Sequence, residues 1–146
     1  MSDSDLRLHI FETFVGEGRP PTVPETAEAL GIPEAQAAEG FRRLDEGHVI
    51  VLDPGTLDIW MANPLCARPT GFRVRTADGR RYFGTCTWDA PGVLAMIGAD
   101  GTVSTVCHDC DDPLTLEVRG GELQTVEAVG HFAVPAARWW EDIGFT

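Results

Sequence analysis

Helical patterns occupy the first third of this chain, and β-strand patterns occupy most of the rest. Apolar residues recur at helical spacing over residues 5–15. Thr22 and Glu25 have the spacing of a capping box, which predicts a second helix ending near residue 30. A third helix is predicted over residues 34–45. Helices and strands that are segregated along the sequence in this way are typical of an α+β fold.

Turn residues divide the remaining chain into β-hairpins. The first hairpin joins residues 48–52 to residues 57–61 through an Asp-Pro-Gly turn. Three helices followed by a hairpin are typical of a winged-helix unit, which we predict for residues 1–62. Prolines mark a linker over residues 63–70. From there we predict a second, β-rich unit over residues 63–146.

The second unit alternates short strands with two helices. Its predicted elements are a hairpin over residues 72–85, a helix from Asp89 to residue 97, a strand over 102–106, a hairpin over 114–126, a strand over 131–134 and a closing helix over 136–143.

The charge of the chain excludes several classes of function. The net charge is -12, and all of the basic residues are arginine, so chemistry through a lysine Schiff base is excluded. An acidic chain is poorly suited to nucleic acid or to anionic membranes, because phosphate binding needs clustered cations. No signal sequence or membrane-spanning run is recognisable, so we predict a cytoplasmic protein with reduced cysteines.

Two cysteine-containing stretches carry the candidate chemistry. Cys86 follows a strand-like run, and Asp89 opens the next helix. The field at a helix N-terminus predicts a lowered pKa for the Cys86 thiol. A carboxylate three residues further on lies within proton-transfer reach of whatever that sulfur binds. Taken singly, Cys86 could be a small buried residue and Asp89 a helix cap; their spacing favours a functional pair.

The second stretch is a Cys-x-x-Cys motif formed by Cys107 and Cys110. Alone it is half of a zinc site, which His108 and His131 could complete. Otherwise His131 is interpreted as a core histidine. Together with Cys86, the two thiols would form a soft site for Hg(II), Cu(I) or Zn(II). Tryptophans at three positions could line an apolar pocket or pack in the core: Trp88, Trp139 and Trp140.

These motifs resemble the organomercurial (alkylmercury) lyase family. The similar segments are Tyr-Phe-Gly-Thr-Cys-Thr-Trp-Asp-Ala at 82–90, Leu-Ala-Met-Ile-Gly at 94–98, Val-Ser-Thr-Val-Cys at 103–107 and His-Phe-Ala-Val-Pro at 131–135. The winged-helix-like first half is also typical of that family. The resemblance implies cleavage of carbon–mercury bonds with Cys86 as a thiolate ligand and Asp89 as the proton shuttle, while Cys107 matches a cysteine usually considered structural.

One feature of the family pattern is absent from this sequence. The resemblance places a second catalytic cysteine shortly before His131, where residues 125–130 contain no sulfur. Cys110, Cys107 or Cys66 could substitute, and Cys110 is our candidate because the Cys-x-x-Cys segment could fold toward Cys86. Two thiolates matter because their electron donation makes the mercury-bound carbon basic enough to accept a proton.

Three functions are therefore predicted, in order of preference. The first is an organomercurial lyase that needs no cofactor, takes a small organometal substrate and passes mercury to low-molecular-weight thiols. The second is a non-enzymatic thiolate protein that binds Hg(II), Cu(I) or Zn(II) through Cys86, Cys107 and Cys110. The third is a metal-responsive winged-helix regulator, which the acidic charge disfavours.

Overall fold

The first three helices precede the strands of the sheet, as the α+β prediction requires. A computed structural model describes residues 2–124 and 126–144. The α-helices are α1 (Asp3–Glu17), α2 (Val23–Leu30), α3 (Glu34–Glu46) and α4 (Asp89–Ile97), and a 3₁₀ helix spans Ala136–Glu141. No helix in these ranges is long and apolar enough to cross a membrane.

Local capping explains where the first helices begin. The Ser2 hydroxyl accepts a hydrogen bond from the Asp5 amide while the Asp5 carboxylate accepts one from the Ser2 amide, so α1 starts two residues before its predicted position. Thr22 and Glu25 form the predicted capping box of α2. Gly18 ends α1 at a φ of 75°, a conformation that favours glycine.

Within residues 2–124 and 126–144, eight antiparallel strands form one continuous sheet. They are β1 (Val51–Leu52), β2 (Ile59–Ala62), β3 (Leu65–Cys66), β4 (Arg73–Thr76), β5 (Arg81–Gly84), β6 (Gly101–Val106), β7 (Pro113–Arg119) and β8 (Glu122–Leu123). Their order across the sheet is β1-β2-β3-β5-β4-β6-β7-β8. The hairpins β1–β2, β4–β5 and β7–β8 were all predicted, although β1 is short because His48 takes a left-handed φ of 59° after α3.

The predicted linker contains a buried strand. Within it, Leu65 and Cys66 pair with β2 on one side and with β5 on the other. The interpretation of residues 63–70 as an irregular connection is therefore wrong, because two apolar residues between the prolines are enough to continue the sheet. The winged-helix assignment and the division into units 1–62 and 63–146 stay predictions.

A large apolar core joins the helices to the sheet. Phe14 of α1 and Phe41 of α3 are buried in the same cluster as Leu65, Leu94 and Val103. Burying side chains of this size stabilises the fold by about 1.5–3 kcal/mol each relative to exposure. This core fixes α4 against the sheet, and α4 begins beside the candidate site.

The C-terminal part of the chain differs from its prediction. Residues 131–134 form no strand, and the closing helix is the 3₁₀ helix Ala136–Glu141. The chain leaves the sheet at the exposed edge strand β8 and passes over a cleft, so this segment has no ladder partner in the ranges described. The predicted hairpin over 114–126 includes Thr125, which lies outside the described residues.

Candidate active site

The junction between β5 and α4 is tightly packed and holds the Cys-x-x-Asp motif. A Cβ placed on Gly84 would lie 2.5 Å from both the Cα and the Cβ of Ala90. Only glycine allows the end of β5 to approach the first turn of α4 this closely. The Ala90 amide also donates a hydrogen bond to the Cys86 carbonyl at 3.0 Å. The loop between them therefore presents Cys86 and Asp89 in one fixed turn.

Cys86 is half-buried at this turn. Its Sγ accepts a hydrogen bond from the Asp89 amide at 3.5 Å. Burial raises the pKa of the Cys86 thiol above its ordinary value; the Asp89 amide acts in the opposite direction, and the negative charge of Asp89 adds to the rise. The prediction that the helix N-terminus lowers this pKa is therefore wrong, because desolvation outweighs the field of the amides.

The Asp89 carboxylate is oriented by a neighbouring hydroxyl. The Thr85 hydroxyl donates a short hydrogen bond to Oδ2 of Asp89. Both residues are partly buried and, with Cys86, line the same cleft. Thr85 was not among the site residues predicted from the sequence. A hydroxyl residue four positions before the carboxylate was nevertheless a usable signal.

The cleft beside this turn is large, and both polar and apolar residues line it. It has a volume of about 1230 Å³. Its floor includes Cys86 and Asp89, and its outer wall is formed by the C-terminal segment, residues 127–144. Trp139 and Trp140 line it, whereas Trp88 does not and is 72% exposed. His131 also lines the cleft and is exposed, so its interpretation as a core histidine is wrong.

Aromatic contacts hold the C-terminal wall in place. The Trp140 ring stacks on the His48 ring at a centroid separation of 3.8 Å and an interplanar angle of 5°. The Trp139 indole donates a hydrogen bond to the Val134 carbonyl at 2.8 Å, and its ring meets that of Phe132 at a centroid separation of 5.3 Å. These contacts fix an apolar surface that faces the cleft.

Cys107 and Cys110 share a closed turn at another edge of the cleft. The Asp111 amide donates to the Cys107 carbonyl, and the Cys107 amide donates to the Asp112 carbonyl, each at 2.9 Å. The two thiols are close enough for each to shift the pKa of the other. The Cys110 thiol also donates to Asp112 Oδ2 at 3.4 Å.

The two thiols of this turn differ in acidity. The backbone amides of Asp109 and Cys110 lower the pKa of the Cys107 thiol. At Cys110, the Asp112 amide lowers the pKa, but the Cys107 thiol and the Asp112 carboxylate outweigh it, so the pKa is raised. The turn therefore carries one thiol with a lowered pKa and one thiol with a raised pKa.

The structure separates the fourth cysteine from the cleft. Cys66 is buried with Val51 and Met61, and burial raises the pKa of its thiol. It does not line the cleft. Cys86, Cys107 and Cys110 all do, but within residues 2–124 and 126–144 no group of three or more His, Cys, Asp and Glu side chains is close enough to hold one metal ion.

The opposite pKa directions predict a fixed order of alkylation with rising pH. Only the thiolate reacts with the reagent. Alkylation of Cys107 should therefore begin at a lower pH than alkylation of an ordinary thiol, and alkylation of Cys86 should begin at a higher pH. Short iodoacetamide pulses at stepped pH, followed by peptide mass spectrometry, give the midpoint for each site. Buried Cys66 is the internal control and should stay unlabelled without denaturant. A lower midpoint for Cys86 than for Cys107 would contradict these assignments.

The chain that carries this site is similar to known proteins in sequence and in fold. The family described as alkylmercury lyase (MerB) matches residues 65–146, which is more than half of the chain and includes all of the cleft thiols. No curated protein matches the sequence. Among solved structures, the chain is similar to one described as "Crystal structure of the mercury-bound form of MerB2", with 22% identity and a TM-score of 0.65 over 84% of this chain. It spans 58% of that protein's length, and the likeness shows a shared fold.

Proposed function

Because the chain belongs to the alkylmercury lyase family, we propose that it cleaves carbon–mercury bonds by protonolysis. The observation that carries the proposal is the geometry of the β5–α4 junction. A thiol and a carboxyl group from a single turn, Cys86 and Asp89, line one cleft with room for a small organometal. A soft ligand for mercury and a source of a proton are thereby placed side by side.

Cys86 is the proposed first ligand of the substrate. Mercury exchanges onto the sulfur as a thiolate–mercury bond, and the thiol proton passes to the leaving ligand. Sulfur is preferred over the oxygen donors nearby because Hg(II) is a soft ion. Half-burial of Cys86 suits a neutral organomercury group better than a hydrated anion, since the raised pKa reflects poor solvation of charge there.

Asp89 is the proposed proton donor. Its Oδ2 is held by Thr85, so the carboxyl group keeps one orientation beside the Cys86 sulfur. In the cleavage step, the electron pair of the carbon–mercury bond takes the carboxylic proton. The organic group leaves as a hydrocarbon, Hg(II) stays on sulfur without a change of oxidation state, and the carboxylate is reprotonated from solvent.

A second sulfur is proposed to come from the turn that carries Cys110. Residues 126–130 offer no thiol to the cleft, whereas Cys110 lines it and is exposed. When Cys110 binds mercury, its thiol proton passes to solvent, and this second thiolate raises the electron density on mercury and thus the basicity of the bound carbon. The apolar wall that includes Phe132 and Trp139 is the proposed contact surface for the organic group, and low-molecular-weight thiols are the proposed final acceptors of mercury.

The test is hydrocarbon release from an arylmercury compound. Reduced protein incubated with phenylmercury and excess monothiol is expected to release benzene, measured in the headspace by gas chromatography. Cys110→Ser should lower the rate by roughly 10²-fold, the low end of what a positioned catalytic group contributes. Cys66→Ala, which alters a thiol outside the cleft, is the matched control and should keep the rate. Stoichiometric binding of phenylmercury with no benzene would refute the proposed activity.

A further inference from the structure

We propose that Cys107 and Cys110 together form a two-sulfur site that takes Hg(II) from Cys86 after cleavage. This inference rests on the proposed function, since it assigns the destination of its metal product. It also gives a ligand role to Cys107, a residue that the proposed cleavage step does not use. The site lies at an edge of the same cleft, in the turn between β6 and β7.

The first support is the preorganisation of the two sulfurs. Two backbone hydrogen bonds of 2.9 Å close the turn, one to the Cys107 carbonyl and one from the Cys107 amide. A metal ion that binds both sulfurs therefore orders little additional chain, which favours chelation.

The second support is the gradient of exposure along the cleft. Cys86 is half-buried, Cys107 is partly exposed and Cys110 is exposed. All three side chains line one continuous cleft. Mercury that moves from Cys86 to the turn would thus move toward solvent, where an external thiol can reach it.

The third support is the small number of ligands at the turn. Tetrahedral Zn(II) needs four ligands, and no group of three candidate ligands exists in the described ranges. His108, which lies between the two cysteines, faces the Phe72 ring at a centroid separation of 6.4 Å and in near-parallel orientation. Two thiolates alone satisfy Hg(II), which accepts linear two-sulfur coordination, so this ion fits the turn better than Zn(II).

The transfer is a ligand exchange that balances without an oxidant. At Hg(II) held by Cys86 and Cys110, the Cys107 sulfur replaces the Cys86 sulfur as the second of two ligands. The proton of the Cys107 thiol passes to the released Cys86 thiolate through solvent. Mercury remains Hg(II), and Cys86 regains the thiol form needed for another substrate molecule.

The site can be tested with Hg(II) alone in a protein that lacks Cys86. Cys86→Ser protein is titrated with mercuric chloride in excess monothiol, and retained mercury is measured by native mass spectrometry and by the ultraviolet absorption of mercury–sulfur bonds. We expect one Hg(II) per chain. Adding Cys107→Ser or Cys110→Ser should weaken retention by about 10²-fold, because a chelate becomes a single thiol. Adding Cys66→Ala instead should leave retention intact, since Cys66 is buried outside the cleft.

The outcomes separate this inference from the proposed lyase activity. Benzene release by the unmodified protein, combined with no retention of Hg(II) by Cys86→Ser protein, would overturn the two-sulfur site and leave the lyase proposal standing. Retention of Hg(II) by Cys86→Ser protein, combined with no benzene release by the unmodified protein, would overturn the lyase proposal and leave the two-sulfur site standing. Retention that survives the loss of Cys107 would also overturn the inference. Cys107→Ala serves as a second variant, and circular dichroism verifies that each protein is folded.

Discussion

Cys86→Ser protein is expected to release no hydrocarbon from phenylmercury or methylmercury. The substitution replaces a soft sulfur with a hard hydroxyl oxygen of similar shape, and mercury has little affinity for such an oxygen in water. Without the first bond to the enzyme, the organomercurial is not held beside Asp89. The effect should exceed that of any other single substitution in the cleft, because both binding and activation of the substrate begin at this sulfur.

The substitution should not disturb the surrounding fold. The Cys86 sulfur accepts a hydrogen bond from the Asp89 amide, and a serine hydroxyl can accept the same bond. The measurements are benzene or methane release, together with the thermal unfolding midpoint of each protein. An unchanged midpoint with loss of release supports a chemical role for Cys86. Hydrocarbon release at more than about a tenth of the original rate would indicate that another sulfur is the first ligand of the substrate. The turn at Cys107 and Cys110 would then be the next candidate.

The sequence was sufficient for the local geometry of the site. Residues 80–98 contain a strand, a turn and a helix whose limits depend on nearby residues, including Gly84 against Ala90 and Gly98 at the end of α4. The Cys-x-x-Asp spacing could therefore be placed at a strand-to-helix junction before any tertiary contact was known. The same holds for the capping box of α2, in which donor and acceptor lie three residues apart.

Features that depend on distant segments could not be derived in the same way. The raised pKa of Cys86 comes from burial, and the cleft around it is closed in part by residues 127–144, which are far away in sequence. Likewise, Leu65 and Cys66 gave no strand signal by themselves, and their pairing with β2 and β5 depends on the sheet already present on both sides. Residues 131–134 show the converse, since a β-like composition is not enough to form a strand there.

Asp89→Asn protein is expected to bind organomercurials but to cleave them roughly 10²–10⁴-fold more slowly, the range associated with loss of a positioned acid. The carboxamide has almost the same shape, and its oxygen can still accept the hydrogen bond from Thr85. It carries no acidic proton, so the mercury-bound carbon must be protonated by water. The loss should therefore appear in kcat, while stoichiometric retention of phenylmercury by Cys86 stays unchanged.

Glu127→Gln is the matched control for this experiment. Glu127 is another carboxylate that lines the cleft, and it belongs to the C-terminal wall and not to the β5–α4 junction. If any cleft carboxylate could supply the proton, the two substitutions would lower kcat to a similar extent. If the position of Asp89 beside the Cys86 sulfur is what matters, only Asp89→Asn should lower kcat. A retained rate in Asp89→Asn protein would show that solvent, or another acid, protonates the carbon, and it would remove the mechanistic reason for a carboxylate three residues after the cysteine.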